Sequence, residues 1–335
     1  MTLASTANLS STASPWPTSH LAANVSLPLV VTPGDRDWTL PDLLDGLREH
    51  RDWFDRSLLE SGGLLFRGFP THSSAEFEAF VAAIDAKMLP YTQGTSPRRR
   101  VRNMVYNSTE YPANKVIELH NEMSYTHHPP SKVFFYSDIA AKTGGETPIA
   151  DSRKVYQKLD PVIRDRFVDK QICYTRTMHA GEGFSILGKS WRETYETEDR
   201  DEVEAYLTAA DMDFRWLEDG SLQTRQVCPA AIAHPVSGEM AWHSQAHLLH
   251  VSNFGKTGET LQAMVGEERF PVNSYYGDGT AIAPEDLAAI RELLWQEATI
   301  FPWQEGDVLV LDNLLVAHGR TPFKGKRRTL VAMTA

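Results

Sequence analysis

Cysteine is nearly absent. Only Cys173 and Cys228 occur among 335 residues, too few for a disulfide scaffold, and neither belongs to a C-x-x-C pair that would hold zinc. A reducing compartment is the simpler expectation. Apolar runs are short, and none approaches the roughly 20 residues that cross a bilayer. The stretch MTLASTANLSSTASPWPTSHLAAN lacks the basic start and apolar core of a secretion signal. Rich in Ser, Thr and Ala, residues 1–24 read as a mobile tail on a soluble, cytoplasmic protein. Basic runs are lacking too. The net charge is −11 and the pI near 5.6, and the lone cluster Pro97–Arg100 reads as a solvated loop. Duplex nucleic acid, which needs a concentrated basic surface, is excluded as a partner. There is also no glycine-rich strand-to-helix turn of the dinucleotide-binding type, and no internal repeat.

The elements that are present suggest a β core with helices around it. WTLPDLLDGLREHRDWFDRSLLESG has helical apolar spacing and stops at Gly62 and Gly63. A short buried strand follows from Gly63 to Pro70, then a helix capped by serine with glutamate in its first turn. Further β-like runs occur at VRNMVYNST and SKVFFYSDIA, and a Pro-started helix precedes two apolar, β-branched runs, GDVLVLDNLLVAHGR and RRTLVAM. These last two are expected to pair as strands. Residues 164–227 look like a helical, lid-like insertion between two halves of the core. Strands on both sides of an insertion predict one domain, residues 25–335, built on a distorted double-stranded β-helix, or jelly roll.

The stretch ELHNEMSYTHHPP concentrates three histidines and two glutamates. His120 and Glu122 lie two apart, so in an extended segment they share a face and can chelate one ion. His127 and His128 precede Pro129 and Pro130, where a turn breaks that phase, and are assigned structural roles. Glu118 lies one step back and is expected to face solvent or support the site. At the far end of the chain, His318 closes an apolar strand where an unpaired imidazole would be costly. Two histidines and a carboxylate on barrel strands form the facial triad of non-haem Fe(II) oxygenases, with three positions open for a chelating cosubstrate and dioxygen. An anionic cosubstrate needs a cation. Arg327 and Arg328 are neighbours on one strand, so only one can turn inward to grip a carboxylate with two parallel hydrogen bonds. The ion, one carboxylate ligand, a dicarboxylate and one arginine sum to zero, as a buried site prefers.

With these residues in place, the chain resembles the TauD/TfdA family of Fe(II)/2-oxoglutarate dioxygenases, most closely the branch related to the syringomycin-biosynthesis hydroxylase. The phrases that carry the resemblance are STEYPANKVIELHNEMSY, GGETPIADSR, WRETYETED and GDVLVLDNLLVAHGRTPF. It implies that His120, Glu122 and His318 hold iron, and that Thr147 with Arg327 or Arg328 binds the distal carboxylate of 2-oxoglutarate. It also implies oxidation of an unactivated C–H bond with O2, giving succinate and CO2, with no side chain acting as a separate acid or base. Hydroxylation is favoured, and desaturation is the alternative. Glutamate stands where aspartate is commoner, and it occupies the position that halogenating relatives leave open for chloride. The substrate implied is an amino acid or derivative, either free or tethered to a peptidyl carrier protein.

A second departure is AWHSQAH, which places His243 and Ser244 at positions expected to face the substrate. Asn107 and Thr109 are candidate pocket-wall donors. Arg225 either binds a substrate carboxylate or pairs with the acidic insertion. His243, His247 and His250 lack a carboxylate among them and make a poor rival triad. Asp312 or Asn313 is expected to orient His318 or the cosubstrate through a hydrogen bond, while Trp191 and Trp242 read as packing residues. A zinc hydrolase would need a general base that the sequence does not supply, and a non-catalytic binding barrel would not need an intact triad. Oligomerisation stays open.

Overall fold

A computed structural model describes residues 14–91, 98–181 and 188–335. Its main sheet has eight strands in the order Thr18–His20, Leu29–Val31, Gly63–Phe66, Val308–Asp312, Lys132–Ile139, Arg328–Thr334, Val105–Asn107 and Arg100–Arg102. Leu29–Val31 runs parallel to Gly63–Phe66, and every other pairing in this sheet is antiparallel. A smaller sheet places Val316–Arg320 between Ile117–His120 and Ile149–Asp151. These sheets form the double-stranded β-helix, with apolar residues such as Leu309, Leu311, Val316, Phe135 and Val331 buried in one cluster. The two C-terminal runs do not pair with each other. Asp312 Oδ1 accepts from Leu314 N and Leu315 N at 3.0 and 3.2 Å. That turn carries the chain from the main sheet at Asp312 into the smaller one at Val316.

The expected N-terminal helix is two, Leu40–Glu49 and Arg51–Ser61, broken at His50. Thr39 and Asp42 form a capping box at its start, and Gly62, at φ 78°, ends it in the left-handed region that glycine favours. Ser73 caps Ser74–Ile84 as its sequence suggests. These helices cover the outer face of the main sheet through Leu43, Leu47, Phe54, Phe77 and Phe80.

Two sequence expectations change. The insertion is not mainly helical: Ile172–Met178, Asp213–Trp216 and Leu222–Cys228 join Val272–Tyr276 in a four-stranded antiparallel sheet. Their polar alternation hid them. In Leu222–Cys228 buried and more exposed residues alternate because only one face is covered. The tail reading fails for residues 14–24, while residues 1–13 lie outside the described residues. Trp16 is 2% exposed, with ring centroids 5.5 to 6.1 Å from those of Trp53, Trp38, Phe66 and Phe69. Among the described residues no helix is long and apolar enough to cross a membrane.

Trp16 therefore anchors the first strand rather than trailing from it. Trp16→Ala is expected to lower unfolding free energy by about 3–5 kcal/mol, the usual cost of deleting a buried aromatic. Chemical denaturation measures it, and a loss below about 1 kcal/mol would contradict the anchoring.

Candidate metal centre

His120 ends one strand of the smaller sheet, and His318 lies directly across from it on the next. Cross-strand partners place their side chains on one face, and the two imidazole centroids are 4.7 Å apart. Glu122 joins them, with Oε2 3.6 Å from His318 Nε2. One ligand atom from each of the three lies within 4.8 Å of the others. Gly319 permits the approach, since a Cβ there would meet Ile117 O at 2.6 Å. His120 Nδ1 donates to Glu118 O at 2.8 Å. A carbonyl only accepts, so the N–H is fixed on Nδ1 and the Nε2 lone pair is left free. Burial, reinforced by His318, pushes His120 down to about 3, which keeps it neutral. Burial alone would raise Glu122, but Arg98 beside it and its hydrogen bond with His318 hold the carboxylate well below the usual range. Two imidazoles and an ionised carboxylate opening on a cavity form a donor set that fits a divalent cation.

Glu122 arrives by a route the period-two argument does not describe. The strand stops at His120, and Asn121–Thr126 turns, with Met123 at φ 55°. The carboxylate is placed by Asn313, which is fully buried. Asn313 Oδ1 accepts from Glu122 N at 2.7 Å, and its Nδ2 donates to Glu122 O at 2.9 Å and Pro130 O at 2.8 Å. Asn121 Nδ2 returns a bond to Asn313 O at 2.7 Å. Asn313 thus holds the backbone of Glu122, not His318 or the cosubstrate. Asp312 pairs instead with His234 at 3.2 Å. From the other side, Gln245 Nε2 donates to Asn121 O at 2.6 Å and His247 Nε2 to Leu119 O at 2.8 Å. The AWHSQAH segment therefore braces the strand that carries His120. His243 and Ser244 do not line the cavity. His243 is buried, with no hydrogen bond from its ring among the described residues, and Ser244 Oγ lies 3.1 Å from Tyr174 OH.

Thr147 and Arg327 line the same cavity as the triad. Gly144 and Gly145 make this possible. Both have φ above 70° or close to it, and a Cβ on Gly144 would meet Pro322 O at 2.0 Å. Gly145 O accepts from Arg327 Nε at 2.8 Å, leaving the two terminal nitrogens of the guanidinium as donors for a carboxylate. Burial, with Arg320 nearby, lowers Arg327 to about 10, still protonated at neutral pH. The Thr147 hydroxyl accepts from Trp303 Nε1 at 3.1 Å. Arg328 is exposed and pairs with Asp138, so of the two arginines it is Arg327 that lines the cavity.

The cavity measures about 720 Å³. Thr109 lines it, as does Ser108, whereas Asn107 does not. Arg225 lies outside it on the four-stranded sheet, bonded to Cys173 Sγ at 2.9 Å and near Asp213. His127 and His128 are exposed, and His127 Nε2 lies 2.8 Å from Val227 O. Glu118 accepts from Trp295 Nε1 at 2.7 Å. Two arginines escaped the sequence reading. Arg98, taken there for part of a solvated loop, is only 7% exposed in its side chain and donates to Glu122 Oε2 at 2.8 Å. Its guanidinium lies 3.8 Å from the Tyr91 ring centroid. Arg320 is buried and donates to the carbonyls of Tyr111, Pro112 and Lys115, tying that loop to the His318 strand. The "HGR" triplet was the available signal, because residues i and i+2 of a strand share a face.

Asn313→Ala removes three buried hydrogen bonds and is expected to cost about 2–4 kcal/mol of stability. Loss of such a supporting partner should weaken Co(II) or Zn(II) binding by about 10–100-fold. Chelator competition measures the affinity, and an unchanged value would remove Asn313 from the metal centre.

Residues 26–334 match the family model described as taurine catabolism dioxygenase TauD, TfdA family. The dapdiamide synthesis protein DdaC of Enterobacter agglomerans is 39% identical over 280 residues, covering 83% of this chain and 84% of the relative. A clavaminate synthase-like protein of Arabidopsis thaliana is 31% identical over 300 residues, covering 88% of each. Among solved structures, PvcB of Pseudomonas aeruginosa shares the fold at TM-score 0.52 and 16% identity, over 91% of this chain and 84% of that one. AAD-2 in complex with Mn(II) and N-oxalylglycine does so at TM-score 0.50 and 13% identity, over 96% and 97%. The chain belongs to the TauD/TfdA family, the non-haem iron and 2-oxoglutarate-dependent dioxygenases.

Proposed function

We propose that the protein hydroxylates an amino acid or amino-acid derivative in natural-product biosynthesis. His120, Glu122 and His318 hold Fe(II), and Thr147 with Arg327 holds the distal carboxylate of 2-oxoglutarate. The observation that carries this reading is the convergence of three ligand atoms within 4.8 Å at a cavity that Thr147 and Arg327 also line. The likeness to DdaC, named for dapdiamide synthesis, and to a clavaminate synthase-like protein supports the biosynthetic setting. Whether the substrate arrives free or on a carrier protein is a choice between two forms of one reaction.

The iron, when bound, supplies the activation of dioxygen that a C–H bond requires, and the stoichiometry closes as substrate, O2 and 2-oxoglutarate giving alcohol, succinate and CO2. The chain's own residues bind, orient and exclude water. Arg327 offers a charge-assisted, forked contact to one end of the cosubstrate, and the Thr147 hydroxyl adds a neutral donor beside it. Phe135 packs its ring against His318 at 4.9 Å between centroids and limits the imidazole's rotation. Arg98 donates to Glu122 Oε2, the oxygen that also lies 3.6 Å from His318 Nε2, and so keeps the carboxylate ionised and in place.

Anaerobic addition of Fe(II) and 2-oxoglutarate should produce a weak visible charge-transfer band, and admission of oxygen should yield succinate. Glu122→Ala combined with His318→Ala should abolish both; an undiminished band in that variant would sink the assignment. Arg327→Ala should raise the KM for 2-oxoglutarate by about 10–100-fold, the loss of a charged hydrogen-bonded contact, while Arg328→Ala leaves it within about twofold. Equal effects of the two substitutions would reverse the assignment of the inward arginine.

A further inference from the structure

One helix of the cavity lining is barely fastened to the rest of the protein. Gly255–Val265 contributes Thr257, Gly258 and Leu261 to the lining, and of its 11 residues only Gly258 is buried. Among the described residues, no side chain from Gly255 to Gly266 makes a hydrogen bond or ion pair outside the helix. The Thr260 hydroxyl turns back on Lys256 O at 2.8 Å, and no side chain caps the first turn. A helix of this length is marginal in water without a buried face, because packing supplies most of the stability of helices in proteins. Pro284–Gln296 shows the difference. It buries Leu287, Ile290 and Leu294, and Arg291 donates to His247 O at 2.7 Å.

The flanks of this helix are tied down. Before it, Val251 N donates to Asn273 Oδ1 at 3.1 Å and Asn253 Nδ2 to Leu248 O at 2.9 Å. After it, Tyr275 OH donates to Glu267 Oε1 at 2.7 Å, and Glu268 O accepts from Thr177 Oγ1 and Gln223 Nε2 at 2.8 and 2.9 Å. The helix is therefore suspended between two fixed points. A glycine at positive φ stands at each of them, Gly255 at 53° and Gly266 at 83°. A Cβ on either would meet nothing within 4 Å, so no packing holds these residues to their dihedrals. Gly258 is where the helix rests on the turn before it. A Cβ there would meet Phe254 Cβ at 2.6 Å and Val251 O at 3.0 Å.

We infer that Gly255–Val265 is a lid on the cavity of the metal centre. It swings on Gly255 and Gly266 to admit ligand, and it closes when Gly258 seats against the Val251–Phe254 turn. Thr257 and Leu261 are then the side chains of the lid that a bound substrate meets. Closure excludes water from the reacting centre, and a helix that buries so little can open and close at small cost. This deepens the proposed function and rests on its metal site.

Two measurements on the Co(II)-loaded protein test the inference. Hydrogen exchange read by mass spectrometry should show the amides of residues 260–265 exchanging about a hundredfold faster than those of residues 289–296, as local opening requires. Equal protection of the two helices would overturn the lid, and this comparison in wild type stands whether or not any variant folds. The second measurement is the rate at which 1,10-phenanthroline, which must enter the cavity, captures the Co(II). Gly258→Ala places a methyl group against the Val251–Phe254 turn and lifts the helix. It should speed both exchange at 260–265 and capture by about tenfold, a shift of the open–closed equilibrium by one power of ten, with residues 289–296 unchanged. Gly258→Val, the larger group, should do more. Faster exchange at 260–265 with an unchanged capture rate would overturn the lid, as would unchanged exchange in both variants. Failure of wild type to bind Co(II) condemns the metal centre itself, whereas bound Co(II) captured equally fast from all three proteins condemns only the lid.

Discussion

The metal centre depends on one buried amide. Two of its three ligands need little help, since cross-strand pairing of His120 and His318 brings their rings together wherever the smaller sheet forms. The third lies beyond the end of its strand, in a turn, where nothing in the ladder fixes it. Asn313 supplies the missing constraint by taking both the N–H and the C=O of Glu122, as a neighbouring strand would. It does so from the turn where the chain leaves the main sheet for the smaller one. The position of the carboxylate is thereby coupled to the crossover of the jelly roll, and a local geometry becomes a property of the whole fold. Asparagine suits the task because one planar group both accepts and donates. Aspartate would lose the donor, and leucine would take this partner from three backbone groups, the N–H and C=O of Glu122 and the C=O of Pro130.

The same region shows how charge is distributed among three buried or half-buried arginines. Arg320 spends its guanidinium on backbone carbonyls and acts as a structural tie. Arg327 commits one nitrogen to Gly145 and keeps its fork for a ligand. Arg98 faces a carboxylate and lies over an aromatic ring. Burying an ion pair costs desolvation on both sides, and the Coulomb gain returns that cost only with good geometry. The Arg98–Glu122 contact has that geometry, and it keeps Glu122 ionised before any metal arrives.

Much of this was legible in the sequence. The triad, Thr147 and the jelly roll follow from motif spacing and resemblance, and the structure brings His120, Glu122, His318, Thr147 and Arg327 to one cavity. The reasoning that paired His120 with Glu122 was nonetheless incomplete, because strand periodicity does not extend through a turn that tertiary hydrogen bonds define. Arg98 was misread because a cluster of arginines looks solvated whatever one of them does. Its burial depends on Tyr91 and Glu122, which are distant in sequence or in phase. Trp16 was lost in a compositional average, since Ser, Thr and Ala around it carry the signature of a tail. The sheet formed by Ile172–Met178 and its partners was missed for a related reason: strands with one covered face and many polar residues carry weak apolar signals. Arg225, His243 and Ser244 failed as cavity residues because sequence proximity to a motif says nothing about which side of a strand or turn a side chain takes.

The AWHSQAH segment joins these observations. His243 and Ser244 were expected to face the substrate there, and the structure gives the segment a different use: Gln245 and His247 hold the carbonyls of Asn121 and Leu119, completing from one side the bracing that Asn313 provides from the other. The residues that follow, Leu248 and Leu249, face the cavity. The segment thus fixes the metal strand with its polar side chains and leads directly into two leucines that line the cavity. A change in this segment that reshapes the cavity therefore also acts on the strand that carries His120, so cavity shape and ligand geometry constrain each other through the same few residues.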